Sequence, residues 1–146
     1  MNVHLTAYTD NDGPISTVIL SGAVGDYGKA QSVNPDGSVN AEHNSQLNLA
    51  LSHGSFRLSI ADLDKKFVAA LANLRTDTTT CSGNASVKSP VPVVAGSGTG
   101  SYQGIRGTFM LTVTLDEVYQ QAGCSETSPY LAQAIVIAGS GVVTIR

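Results

Sequence analysis

The stretch "SQLNLALSHGSFRLSI", Ser45 to Ile60, constrains this chain more than any other. Leu47, Leu49 and Leu51 alternate with Asn48, Ala50 and Ser52. After "SHGS", Phe56, Leu58 and Ile60 alternate with Arg57 and Ser59. A period of two belongs to a strand with one apolar face. Two such runs joined by a short glycine-containing turn form an antiparallel hairpin. The fold must therefore contain an antiparallel sheet with one face covered.

Other segments extend the pattern. "VHLTAY" reads as a first strand, and "TDNDGPIS" as a turn after it. "STVILSGAVGDYGKAQSV" reads as one long extended stretch, bent at Gly22, Gly25 and Gly28. "NPDG", Asn34 to Gly37, is a hairpin turn between Val33 and Val39. "TDTTTCSGNAS" reads as loop, and "SVKSPVPVVAG" as an edge or irregular strand, because its prolines lack the N–H a ladder needs. In "GTFMLTVTLDEV", Phe109, Leu111, Val113 and Leu115 share one face. "LAQAIVIAGSGVVTIR" is a last strand, apolar on both sides. One segment breaks the period: Leu63, Phe67, Leu71 and Leu74 follow helical spacing, which predicts a helix over Asp62 to Leu74.

These elements amount to seven to nine strands and one short helix, with no linker and no repeat, so residues 1–146 read as a single domain. A sandwich and a closed barrel both satisfy the pattern. Glycine kinks inside long strands let a sheet bend enough to close, which favours an all-β barrel.

Composition narrows the function classes. Charged residues are 13% of the chain and the net charge is −3, with no basic cluster beyond Lys65-Lys66. A nucleic-acid partner would call for a basic stripe. Trp is absent and aromatics are 5%, a poor supply for stacking platforms. No apolar run reaches membrane-spanning length. The two cysteines, Cys81 and Cys124, lie in polar, turn-like settings, "TTTCSGN" and "QAGCSET". That setting fits a disulfide better than two buried thiols, and such a bridge would contribute roughly 3–4 kcal/mol by restricting the unfolded chain. A disulfide implies an oxidising compartment. "MNVHLTAYTD" does not read as a signal peptide: either the protein is cytoplasmic, or it is a secreted protein from which a signal has been trimmed, and the disulfide reading favours the second.

"GSGTGSYQGIRGTF", Gly96 to Phe109, carries five glycines and then becomes an alternating strand. A phosphate loop would need Lys-Ser/Thr after its last glycine, or a helix to follow; neither is present. The glycines read instead as a tight turn over Gly96 to Gly100 and a kink at Gly104 and Gly107. The segment resembles the glycine-aromatic-glycine run of allene oxide cyclases and dirigent proteins at Gly98, Thr99, Gly100, Tyr102, Gly104 and Gly107. The chain as a whole resembles small secreted actinobacterial proteins. The family resemblance covers about a tenth of the chain and implies an eight-stranded antiparallel barrel of calycin type. It also implies a small apolar ligand inside the barrel, or a substrate shaped there for cyclisation. It matches no catalytic side chain of that family.

Five residues are candidates for touching such a ligand: Tyr27, His53, Arg57, Tyr102 and Arg106. Asp26 and Tyr27 would set a carboxylate beside a phenol at a barrel mouth, or simply form a bulge. His53 at a hairpin tip and His43 at a strand entrance are of the type used as general bases, though both fit ordinary turns, and His4 reads as solvated. Arg57 and Arg106 are cations that would anchor a carboxylate ligand or brace the surface. Asp116-Glu117 would form an acid pair or a solvated strand end. "DNDG", Asp10 to Gly13, lacks the later ligands of a calcium loop, and "NAS" at Asn84 is a glycosylation acceptor only in a eukaryotic secretory pathway. No serine-nucleophile motif, zinc spacing or cofactor motif is present.

Three functions fit: a secreted barrel binding a small apolar molecule, a cyclase or isomerase that templates a hydrophobic substrate, and a structural or interaction barrel with a filled core. The room left inside the barrel separates the third from the other two. The doubly apolar last strand needs outer cover, which a homo-oligomer contact would supply.

Overall fold

The computed structural model describes residues 1–10, 15–40, 45–124 and 129–145. Eight strands form one sheet: β1 (Asn2–Thr9), β2 (Ile15–Gly22), β3 (Asp26–Val33), β4 (Gln46–Leu51), β5 (Gly54–Ser59), β6 (Ser82–Pro92), β7 (Arg106–Tyr119) and β8 (Tyr130–Thr144). Their order is β5-β4-β3-β2-β1-β8-β7-β6, with every neighbouring pair antiparallel. Only the β1–β8 pairing joins strands distant in sequence. The expected eight-stranded antiparallel barrel is present, as a strongly curled sheet whose concave side holds the core.

Alternation decides what fills that side. Val3, Leu5 and Ala7 of β1, Leu47 and Leu49 of β4, and Phe109, Leu111 and Val113 of β7 all point inward and are buried. Phe56 and Leu58 of β5 meet them from the far edge. Each such side chain contributes about 1.5–3 kcal/mol when fully removed from water.

The barrel's two edges, β5 and β6, do not pair through a ladder. The glycine-rich segment closes the gap at one end. Leu58 bridges to Val93. The Val94 N–H donates to the Arg57 carbonyl at 2.9 Å, Thr99 N–H to Ser55 at 2.8 Å and Ser101 N–H to His53 at 2.9 Å. Side chains add to this seam: Ser97 Oγ accepts from the Arg57 N–H at 3.0 Å, and Thr99 Oγ1 from the Ser55 N–H at 3.0 Å. Glycine is required here. At Gly54, with φ +143°, an added Cβ would lie 2.2 Å from the Thr99 carbonyl oxygen; at Gly100, with φ +56°, it would lie 2.6 Å from the His53 carbonyl oxygen. The glycines thus serve a close backbone crossing.

Helix α1 (Ala61–Ala72) packs beside β6 and β7. Asp62 and Asp64 sit in its first turn, where the helix dipole favours negative charge. Leu63 of the expected stripe is buried, and Phe67, Leu71 and Leu74 are half-buried. Among the described residues no helix is long and apolar enough to cross a membrane.

Two local readings are corrected. The stretch from Ser16 to Val33 is not one bent strand. It folds back on itself as the β2–β3 hairpin, with Leu20 opposite Asp26 and Gly22 at φ +98°. The glycines mark a turn, because Val18 and Leu20 need the same covered face as Ala30. Residues 82–86, read as loop, begin β6. Their polarity hid a strand that gains its hydrogen bonds from β7, with Asn84 opposite Asp116.

Cys81 and Cys124 form a disulfide across 43 residues, fastening the start of β6 to the segment after β7. Replacing both with Ser should lower unfolding free energy by about 3–4 kcal/mol in urea titrations; an unchanged midpoint would show that the bridge restrains nothing. Gly54→Ala should cost at least about 2 kcal/mol through strain and collision with Thr99. Gly25→Ala has nothing within 4 Å of the new methyl and should be near neutral. Equal effects of the two would refute the crossing.

Candidate functional site

The barrel end closed by the glycine-rich segment holds one charged group inside. Asp26 is the first residue of β3, and inward-facing positions alternate from it through Gly28, Ala30 and Ser32. Its side chain is fully shielded from solvent. A carboxylate in that position is tolerated only with hydrogen-bond donors around it, and three parts of the chain supply them.

β3 itself gives the Tyr27 N–H, 2.8 Å from Oδ1. The two-residue turn between β4 and β5 gives the Ser52 N–H at 3.2 Å, the Ser52 hydroxyl, and the His53 N–H at 3.3 Å from Oδ2. The glycine-rich segment gives the Tyr102 hydroxyl, 2.5 Å from Oδ2. A 3-10 turn, Gly100–Tyr102, lowers that ring into the barrel mouth. The ring rests against Phe56 with centroids 5.1 Å apart. Gly98 permits the turn: a Cβ there would stand 1.9 Å from the Tyr102 carbonyl oxygen.

The electrostatics are coupled. Burial pushes the Asp26 carboxyl up, but the hydrogen bonds from Ser52, Tyr102, the Tyr27 N–H and His53 outweigh it and hold it well below the usual carboxylate range. Burial, followed by the hydrogen bond to Asp26 and its charge, pushes the Tyr102 phenol well above its ordinary value. The phenol thus stays protonated as a donor and the carboxylate stays charged as an acceptor.

Asp26, Ser52 and His53 together do not make a nucleophile relay. A triad places the imidazole between hydroxyl and carboxylate, with a different ring nitrogen facing each. Here the same His53 Nδ1 lies 3.0 Å from Ser52 Oγ and 3.3 Å from Asp26 Oδ2. The Ser52 hydroxyl donates directly to Asp26. The arrangement clamps the mouth.

Beneath Tyr102 the interior is apolar. A void lined by residues including Val3, Leu20, Phe56, Ile105 and Phe109 offers a water-sized sphere about 10 Å³, about the minimum for one water molecule.

Of the five sequence-derived candidates, His53 and Tyr102 meet at Asp26. The other three lie outside the barrel. Tyr27 is 68% exposed, because alternation turns it away from the neighbour it was expected to accompany; Asp26 gains a phenol from Tyr102 instead. Arg57 Nη1 donates to the Pro35 carbonyl at 3.0 Å and to Gln46 Oε1 at 2.9 Å, bracing the β4–β5 hairpin against the "NPDG" turn. Arg106 is exposed where β7 begins. His4 lies on the outer face, 3.2 Å from Ser140 Oγ. Asp116 and Glu117 face opposite sides of β7 and form no acid pair; Asp116 is exposed, while Glu117 accepts a hydrogen bond from Gln133 Nε2. Asn84 is exposed on β6. His43 and most of "DNDG" fall outside the described residues. Among those described, no group of three or more metal-ligating side chains occurs. Ser52 was missed because a serine beside a histidine in a tight turn carries no signal of its own.

No family profile matches the chain, and neither a curated protein nor a solved structure matches it.

The charged state of Asp26 sets a pH dependence. Its folded value is depressed, so its contribution is complete above the ordinary carboxylate value of about 4 and is lost as pH falls toward the lower folded value. Tyr102 is raised, so its contribution is complete below about pH 10 and is lost as pH rises beyond that. Asp26→Asn should cost at least about 2–3 kcal/mol at neutral pH, the five hydrogen bonds to the carboxylate losing their charge assistance, and should flatten the acid limb. Tyr102→Phe should flatten the alkaline limb. Urea titrations across pH check both; unchanged limbs would refute the clamp.

Proposed function

We propose that this protein acts through its outer surface, as a disulfide-fastened β-barrel with a filled interior, rather than by enclosing a small molecule. One observation carries the reading. At the clamped end, where an open barrel would admit a ligand, Tyr102 occupies the mouth and the apolar space beneath it offers about 10 Å³. Ligand pockets for drug-sized molecules run to roughly 300–1,000 Å³. The core side chains of Leu5, Leu49, Phe56, Leu58, Phe109 and Leu111 are each at most 1% exposed, so their volume is already committed to packing.

The chemistry at the mouth supports the same reading. Its carboxylate is saturated with donors, and its hydroxyls are spent on that carboxylate. A cyclase or isomerase would need a polar group free to act on a substrate inside the barrel. The resemblance to allene oxide cyclases and dirigent proteins is proposed here for the scaffold alone, since it rests on the segment that builds the closure. The setting we propose is extracellular, in keeping with the Cys81–Cys124 bridge and a surface built from uncharged polar residues.

The test is a ligand screen. Fatty acids and polycyclic compounds should leave the melting temperature of the protein unchanged at saturating concentration. Leu111→Ala should lose about 2–5 kcal/mol and gain a concentration-dependent thermal shift with benzene or indole, which shows that the assay detects occupancy. A saturable shift of the unaltered protein with any of these compounds would overturn the filled-barrel reading.

A further inference from the structure

We draw no further inference here: the strongest candidate, the exposed apolar patch that Tyr8, Ile19, Met110 and Val142 form on the outer face of β1, β2, β7 and β8, carries none because nothing in the structure shows what covers it.

Discussion

A buried negative charge organises one end of this barrel. Removing a carboxylate from water without partners would cost more than a small domain can offset. The Asp26 side chain is nevertheless fully shielded, because donors converge on it from β3, from the β4–β5 turn and from the 3-10 turn that carries Tyr102. These parts are separated in sequence, and the carboxylate adds polar ties to the contact that Tyr102 makes with Phe56. The carboxylate adds a fixed point to a crossing that backbone and hydroxyl bonds already hold, and it sets where the Tyr102 hydroxyl lies.

The same geometry explains how a sheet can close without a complete ladder. β5 and β6 approach each other, but side-chain hydroxyls and irregular backbone span the seam. Glycine lets the crossing chains come within backbone contact. Tyr102 then fills the opening that the crossing leaves. Closure and the seating of Tyr102 are one event: the segment that crosses the seam also sets that ring at the barrel mouth, against Phe56.

Much of the architecture was legible in the sequence. Alternation over Leu47 to Leu51, Phe56 to Ile60 and Phe109 to Leu115 names the inward faces of β4, β5 and β7 correctly, and the Leu63–Phe67 spacing marks α1 to within two residues at its far end. The cysteine settings anticipated the bridge. The site was less legible. That Asp26 lies near a phenol was readable as a local idea, but which tyrosine supplies it depends on a contact across 76 positions. Alternation alone would have sent Tyr27 outward and separated Asp116 from Glu117, a signal present in the residues. The β2–β3 hairpin was obscured because glycine marks both bends and turns, and only pairing partners distinguish the two.

The ladder between β1 and β8 joins groups 142 positions apart, Met1 to Val143, at 2.8 Å. The ribosome delivers β1 well before β8, the strand that completes its pairing. Until then the β1–β2 hairpin has one side bare, and the hydrophobic trough of the half-built sheet lies open to water. Topologies dominated by such remote contacts fold slowly, and an unpaired strand is adhesive while it waits. The cell's difficulty with this molecule therefore lies in the interval before β8 arrives, a hazard of synthesis that the finished barrel no longer displays.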